Sequence, residues 1–343
     1  MAGAGKYAEL AAAVRSFKAE LIQPNQIERF VESGSLAEVV GVLTHGQVSF
    51  TESSDPNSVE EFLICRVIDL TQRLAAYSPH DSRSLIKLFS TRYELECVKE
   101  VIRSIADQIE PESALKHIVP AGKFTHERCK ELIEARNPNR VVELIGDDAL
   151  KSFLAPKLTS ERSGIAAVSA IDQYYYKRLW TASNLPDPLD AQSARGLIGE
   201  LIDNLNILLS FRARLIGLDA RSTSDLLIPV NYALGHSLTE LSESANVQDL
   251  MRVVEKTPYA KAFQSPGLSD GSPPAVERAL NRNHANACLN AFAGSPFNIG
   301  LALAFLFLKN YELHDLFSII NGKANNVPAE HVLNSLILRG LRG

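Results

Sequence analysis

Three acidic residues, each late in an apolar helical stretch, are separated by the same interval. Glu94, Asp203 and Glu312 are equally spaced, since 203 − 94 and 312 − 203 both equal 109, and we call this interval the repeat step. The stretches around them, LIKLFSTRYELECV, RGLIGELIDNLNIL and AFLFLKNYELHDLF, keep the same register. Repetition at a fixed period indicates one supersecondary unit used several times. The sequence therefore predicts three tandem units of about 110 residues each.

Helical periodicity dominates the whole chain. In residues 8–21, four apolar residues recur at three- and four-residue steps, which places them on one helix face: Leu10, Val14, Phe17 and Leu21. Four longer stretches show the same period, alternating β-type runs are scarce, and prolines separate the stretches. We predict an all-α fold of three tandem, similar helical domains, at residues 1–110, 111–221 and 222–343.

A second element precedes each acid-bearing helix. An apolar pair, a proline, a short polar helix, a loop and a short apolar helix recur at residues 21–43, 117–145 and 226–254. Pro120 and Pro229 keep the repeat step, whereas the interval from Pro24 to Pro120 is shorter (120 − 24 = 96). Each unit is therefore predicted to be a short-helix head followed by a long-helix hairpin, with the first head shortened.

Charge and apolar runs exclude some classes of function. The net charge is -5 and no Lys/Arg-rich stripe carries interleaved aromatic residues, so the usual footprint of nucleic-acid binding is missing. The residues MAGAGKYAEL at the start include no long apolar run, which argues against a secretion signal. The most apolar run, residues 299–308, is about half of the roughly 20 residues that a membrane-spanning helix needs. We interpret it as a buried helix.

The cysteines and acidic pairs indicate no metal site or cofactor. Four cysteines lie far apart without a CxxC pair, so they are predicted to be buried, small apolar residues in a reducing compartment: Cys65, Cys97, Cys129 and Cys288. Asp147-Asp148 lacks the second half of a magnesium-binding motif, and capping of the next helix is the better interpretation. No Ser-His-Asp or Cys-His arrangement follows from the spacing. No catalytic residue is predicted.

The stretch around Glu94 still requires a choice between catalysis and structure. A helix turns about 100° per residue, so Arg103 points roughly away from Glu94 and cannot pair with it. Acid–base catalysis needs two carboxylates that converge on one substrate. An acid repeated at equivalent places in three units instead favours a structural task, either bonding a neighbouring helix terminus or lining a shared polar interior.

The chain resembles a known family. The resemblance rests on the three proline-containing heads, the three acid-bearing helices, Thr257-Pro258-Tyr259 after VQDLMRVVEK, and the closing NVPAEHVLNSLI at 326–337. These features are similar to the C subunit family of archaeal and vacuolar-type ATP synthases, whose eukaryotic V-ATPase member is called the d subunit. The resemblance covers residues 7 to about 337. It implies a funnel of three helical domains around a pseudo-threefold axis.

The same resemblance implies a function. A protein of this family lies on the cytoplasmic side of the membrane, on the proteolipid ring, and receives the foot of the central stalk, formed by the D and F subunits. It would transmit torque for ATP-coupled transport of protons or sodium. It would bind neither nucleotide nor cofactor, and would touch the membrane only through the ring.

Site residues are expected from the repeat and from the family's acid-x-x-Asn pattern. Asp203 and Asn206 match that pattern, whereas Cys97 and Asp315 replace the asparagine in the first and third helices. Arginines follow the first two acids by nine residues. Candidates for a partner interface or a funnel lining are Glu94, Arg103, Asp203, Asn206, Arg212, Glu312 and Asp315.

Two other functions stay open at this point. A generic α-helical repeat adaptor would fit the helical pattern, although solenoid repeats are usually about 30–50 residues long, much shorter than this unit. A helical enzyme that uses the carboxylates around Glu94 would fit the local cluster of charges. In an enzyme, substitution of one of the three repeated acids would abolish turnover and substitution of the other two would not. In a scaffold, substitution of any of the three would lower stability or assembly to a similar degree.

Overall fold

The computed structural model describes residues 2–33, 35–43, 56–158, 163–264, 268 and 271–341. These residues are helical and form no β-strand, which confirms the all-α class; one isolated antiparallel bridge joins Ala121 and Phe124. The α-helices are α1 (Ala2–Lys18), α2 (Pro24–Glu32), α3 (Leu36–Leu43), α4 (Pro56–Tyr77), α5 (His80–Ala106), α6 (Pro111–Leu115), α7 (His126–Glu134), α8 (Pro138–Ile145), α9 (Asp148–Leu154), α10 (Ser163–Ala182), α11 (Pro188–Leu215), α12 (Ala220–Leu226), α13 (Ser237–Glu243), α14 (Val247–Val254), α15 (Pro273–Ala291), α16 (Gly300–Ala324) and α17 (Ala329–Ser335).

The order of these helices recurs along the chain. The predicted heads are the short pairs α2–α3, α7–α8 and α13–α14, and the acid-bearing helices are the long α5, α11 and α16. A short helix follows each long one, and these short helices begin at Pro111, Ala220 and Ala329, again one repeat step apart. The boundaries 1–110, 111–221 and 222–343 stay a prediction.

Prolines and caps set many of the helix starts. Six helices begin at a proline, whose fixed φ suits the first helical position and whose missing N–H is not needed there: α2, α4, α6, α8, α11 and α15. The Asp147 carboxylate accepts a hydrogen bond from the Leu150 N–H at 3.0 Å, which confirms that this aspartate caps α9. The Asp187 carboxylate caps α11 in the same way.

One compact unit comprises residues 1–86 and 281–343. Its centre is α16, which packs against α1, α2, α3, α4 and α17. Residues 300–308 are buried one after another, so this helix is apolar on all sides, which confirms the interpretation of that run as a buried helix. Leu10, Val14 and Phe17 of α1 are buried as predicted, but α1 ends at Lys18 and therefore excludes Leu21.

The other compact unit comprises residues 87–280. Its centre is α11, which packs against α10, α12, α13 and α14, and the core includes Ile207, Phe211 and Leu250. The tyrosines at 174–176 are buried and are part of the core. No described helix is both long and apolar enough to cross a membrane.

One prediction about the cysteines is wrong. Cys97, Cys129 and Cys288 are buried, but Cys65 is exposed. The helix α4 buries Leu63, Ile64 and Val67 on one face. Cys65 is rotated by about 100° from Ile64, in the direction away from Leu63 and Val67, and therefore lies outside that face. A single apolar residue in a helix is placed by the phase of its neighbours rather than by its own hydrophobicity.

Candidate site: acid joints between the long helices and the backbone

Asp203, near the middle of α11, is completely buried and accepts four hydrogen bonds. The donors are the N–H groups of Tyr232 at 3.2 Å, Ala233 at 2.7 Å and Leu234 at 3.2 Å, and the hydroxyl of Tyr259 at 2.7 Å. Burial raises the pKa of the Asp203 carboxyl, although these donors oppose the rise. The carboxylate thus fixes the loop that precedes α13 to the long helix.

Asn206 lies one helical turn later and holds the beginning of the same loop. Its carbonyl oxygen accepts from the Ile228 N–H at 2.8 Å, and its amide donates to the carbonyls of Ile228 at 3.1 Å and Val230 at 3.4 Å. These bonds surround Pro229, which has no N–H of its own to offer. The predicted acid-x-x-Asn pair therefore bonds the proline loop of the head that follows it.

The first long helix makes a weaker version of this contact. The Glu94 carboxylate accepts from the Lys123 N–H at 3.3 Å, and the two residues are 29 positions apart, as are Asp203 and Tyr232. Cys97 takes the place of Asn206, and its thiol donates to the Val119 carbonyl at 3.0 Å. One of the asparagine's bonds is therefore kept by a thiol. We call the contacts of Glu94, Asp203 and Glu312 with loop backbone the first, second and third acid joints.

The third acid joint uses a distant part of the chain. The Glu312 carboxylate, on α16, accepts from the Ile22 N–H at 2.7 Å and also pairs with the ammonium group of Lys309. Ile22 lies two residues before Pro24, at the start of the first head. The last long helix is therefore joined to the first head, over a separation of 290 residues.

Asp315 bonds a segment that sequence reasoning did not recognise as part of the repeat. Its carboxylate accepts from the N–H groups of Ile337 at 2.7 Å and Leu338 at 2.8 Å. Ile337 follows Asp315 by 22 residues, which is also the separation of Ile228 from Asn206 and of Val119 from Cys97. Residues 329–338 are thus a third copy of the segment at 111–120 and 220–229. The copy lacks the proline, because Leu338 stands in its place.

Two of the seven predicted site residues are exposed and lie on one groove. Arg103 and Arg212 line a depression of about 420 Å³ between α5, α10 and α11. Arg103 pairs with Glu100, and Arg212 pairs with Glu277 at 2.7 Å. About half of each arginine side chain is exposed. Because ion pairs this exposed are worth little, both guanidinium groups are available to other carboxylates.

The other five predicted residues serve the chain's own backbone. Four of them are almost completely buried: Asp203, Asn206, Glu312 and Asp315. Glu94 is half-buried. Each of the five makes at least one hydrogen bond to the backbone of another segment of the chain. In the described part of the chain, no group of three or more His, Cys, Asp or Glu residues is arranged to hold a metal ion.

Comparison with known proteins decides the family. Residues 10–335 match the family described as ATP synthase (C/AC39) subunit. The chain belongs to this family. The match includes all three acid joints, with Ile22 and Asp315, whereas Ile337 and Leu338, which donate to Asp315, lie just beyond it. The protein is a component of a V/A-type ATP synthase.

Several archaeal members of the family are similar over nearly their whole length. The A-type ATP synthase C subunit of Methanocaldococcus jannaschii is 26% identical, over 96% of this chain and 86% of that protein. The C subunit of Methanosphaera stadtmanae is 25% identical, over 95% and 86%. That of Methanosarcina acetivorans is 23% identical, over 98% and 94%.

In this member of the ATP synthase (C/AC39) subunit family, the second joint also depends on a glycine. The Tyr232 ring packs directly on the backbone of α11 at Gly199, where an added Cβ would lie 2.3 Å from the ring's Cγ. At Gly196, one turn earlier, an added Cβ would lie 3.8 Å from the tyrosine hydroxyl. Gly199 therefore lets the loop approach Asp203, whereas Gly196 has room for a methyl group.

The two glycines are expected to respond to alanine with opposite signs. Gly199→Ala displaces Tyr232, whose N–H bonds Asp203, and should lower the free energy of unfolding by about 1–3 kcal/mol. Gly196→Ala should raise it by about 0.5–1 kcal/mol, because alanine restricts the unfolded chain and suits a helix interior. Urea titrations of both variants give the comparison. Equal losses at the two positions would mean that Tyr232 does not pack on α11 as described.

Proposed function

We propose that the chain is the non-catalytic central-stalk component of a V/A-type rotary ATP synthase. In this role it connects the soluble stalk, formed by the D and F subunits, to the membrane proteolipid ring and transmits torque during ATP-coupled ion transport. The observation that carries the proposal is the family match over residues 10–335. The names of the relatives, all of them A-type ATP synthase C subunits, agree with it.

The internal contacts suit a part that transmits torque. Each joint ties a long helix to a different stretch of backbone through a carboxylate, and charged acceptors make stronger hydrogen bonds than neutral ones. Buried and satisfied polar contacts also favour one arrangement of the elements over others. Each of the three carboxylates accepts at least one hydrogen bond from a backbone N–H group, at three separate places in the chain. That use favours a stiff connector over an enzyme.

We retain the funnel of three similar domains as part of the proposal. Its support is the order of the joints, since Glu94 and Asp203 bond the heads that follow them and Glu312 bonds the first head through Ile22. The proposed position is peripheral, on the cytoplasmic side of the membrane, with membrane contact only through the ring. An open solenoid adaptor would not require the third long helix to bond the first head.

Fractionation of cells tests the proposed position. A tagged chain should sediment with membranes, copurify with the stalk and ring proteins after detergent extraction, and be released from membranes by washing without detergent. The ring proteins should stay in the membrane during that wash and serve as the control. A chain found only as a free cytosolic monomer, in cells whose stalk and ring are assembled, would argue strongly against the proposal.

We propose Arg103 and Arg212 as contacts for a partner protein of the complex, because both are exposed on one groove. Replacing both by glutamate should weaken binding to the D–F pair by about tenfold or more, because the introduced carboxylates would repel the carboxylates of the partner that the arginines are proposed to bind. Stability should change by less than about 0.5 kcal/mol, as for other exposed sites. Glu330→Ala, an exposed change on α17, is the matched control. Unchanged binding in the double variant would exclude this groove as the contact.

A further inference from the structure

Two of the long helices carry a base eleven residues after the acid of their joint. On α11 Arg214 follows Asp203. On α16 Lys323 follows Glu312, so the two bases are also one repeat step apart (323 − 214 = 109). Eleven residues make about three helical turns, which places the acid and the base on the same face of the helix. Each of these long helices thus presents an acid and a base toward the same side.

Each base binds the carboxyl end of the head helix whose preceding loop the acid binds. The Arg214 guanidinium donates to the Ser242 carbonyl at 3.2 Å, in the last turn of α13. The Lys323 ammonium group donates to the carbonyls of Val31 at 3.1 Å and Ser33 at 2.6 Å, at the end of α2. Cations complement the partial negative charge at the carboxyl end of a helix. The helices α13 and α2 are therefore held at both ends.

The first long helix has the acid without the base. Ile105 of α5 stands one repeat step before Arg214. In the described part of the chain, the Ile133 carbonyl, which is equivalent to that of Ser242, accepts only from nearby backbone N–H groups. The carboxyl end of α7 thus lacks the charged donor that binds the ends of the other two head helices.

The residues that follow α7 also differ from those that follow α2 and α13. Ser33 and Ser244 come directly after α2 and α13, and each hydroxyl donates to a carbonyl of the last helical turn, at 2.9 and 2.8 Å. Ala135 takes this place after α7 and has no hydroxyl. The next residue, Arg136, has a φ of 49°, in the left-handed region that residues other than glycine rarely adopt. The end of α7 therefore has fewer bonds and a less favourable backbone.

The difference lies in polar contacts rather than in apolar burial. Leu132 of α7 and Leu241 of α13 stand one repeat step apart, and both are fully buried. At the start of α7 the Thr125 hydroxyl accepts from the Arg128 N–H at 3.3 Å, and the first acid joint holds the preceding loop. The start of α7 is thus capped, whereas its end is held by apolar packing and local backbone bonds.

We propose that the carboxyl end of α7 is a hinge in the second head, α7–α8. Its last turn and the link to α8 open locally, while the first acid joint keeps the start of α7 in place. The Arg128 guanidinium donates to the Leu144 carbonyl, near the end of α8, and so keeps α8 attached to the unopened part of α7. The heads that contain α2 and α13 are held at both ends and stay closed. The inference is independent of the function proposed above.

Hydrogen exchange of the full chain tests the hinge. Protection factors, which correct for intrinsic exchange rates, are compared in the last turns of the three head helices, at residues 132–134, 241–243 and 30–32. The turn of α7 should be protected at least about tenfold less than the other two, because opening there breaks fewer contacts. The Cys129 amide, which bonds the Thr125 carbonyl at 2.8 Å, should stay protected. Equal protection in the three turns, or a loss at Cys129 as well, would overturn the proposal.

Removal of a base should open an end that is normally closed. Arg214→Met should speed exchange in the last turn of α13 by at least about tenfold, and Arg214→Lys, which keeps a cation, should largely restore protection. Arg214 also donates to the Thr223 hydroxyl at 2.7 Å. Thr223→Val removes that contact and keeps the bond to Ser242, so this matched control should leave exchange in α13 unaltered. Unchanged exchange in a folded Arg214→Met protein would contradict the role of the base.

Addition of a base should close the hinge. Ile105→Arg supplies a charged donor at the equivalent position and should slow exchange in the last turn of α7 by at least about fivefold. Ile105→Met, which is long but uncharged, should not. If a folded Ile105→Arg protein exchanged as fast as the natural one, the lack of a base would not be the cause of the opening and the proposal would fail. The comparison of the three heads in the natural sequence decides the matter if the variants do not fold.

Discussion

Replacing Asp203 by alanine is expected to lower the free energy of unfolding by about 3–5 kcal/mol. The substitution removes the acceptor of four hydrogen bonds in a site that water does not reach. Three backbone N–H groups and the Tyr259 hydroxyl would then be buried without this partner, and each such loss costs about 1–3 kcal/mol before the loop relaxes. Urea denaturation followed by circular dichroism measures the loss as a lower midpoint.

Glu94→Ala is the matched control, because Glu94 is the repeat-equivalent acid. It is half-buried and accepts a single, longer bond of 3.3 Å from the Lys123 N–H. We expect a loss of about 1 kcal/mol or less. If Asp203→Ala cost no more than Glu94→Ala, the number and burial of the bonds would not control the strength of an acid joint, and the account of the second joint would be wrong.

Asp315→Ala is expected to cost about 2–4 kcal/mol and to release the segment around Ile337. Asp315 is 1% exposed and accepts from two amides at 2.7 and 2.8 Å. Hydrogen exchange at the amides of Ile337 and Leu338 should become at least about tenfold faster, because opening that segment then costs less. The amide of Ala233, which bonds Asp203, reports on the other compact unit and should exchange as before.

An exposed acid close to that segment provides the control for Asp315. Glu330 lies on α17 and is exposed. Glu330→Ala should change stability by less than about 0.5 kcal/mol and leave exchange at Ile337 and Leu338 unaltered. If Asp315→Ala left those two amides protected, residues 329–338 would be held in place by their apolar contacts rather than by the carboxylate.

The helical class and the positions of the acids could be predicted because both depend on local patterns. Apolar residues at three- and four-residue steps identify helices without knowledge of the fold. The constant repeat step identifies Glu94, Asp203 and Glu312 as equivalent. Prolines such as Pro120 and Pro229 then locate the heads. These signals need no long-range contacts.

The partners of the acids could not be predicted because tertiary contacts decide them. Glu312 bonds Ile22 at a separation of 290 residues, and no local pattern connects the two. Residues 329–338 were not recognised as a copy of residues 111–120 and 220–229, because Leu338 replaces the proline that marks those two segments. The repeat step that separates Pro120 from Pro229 leads on to Leu338, and it was the signal available in the sequence.

Exposure was a further property that the repeat alone did not reveal. Arg103 and Arg212 follow equivalent acids by nine residues and share an exposed groove. Asn321, at the equivalent third position, donates to the Glu60 carboxylate at 2.8 Å. The position is thus used for internal bonding in the third predicted unit and is exposed in the first and second. Only the packing of neighbouring helices distinguishes these outcomes.

Binding to the D–F stalk pair is the most direct test of the proposed connector. The purified chain and the D–F pair from the same organism are mixed at about 10 μM, above the dissociation constant expected of a stable complex, and analysed by size-exclusion chromatography with light scattering. We predict one species that contains all three polypeptides. Separate elution of a folded chain and an intact D–F pair would contradict the connector function.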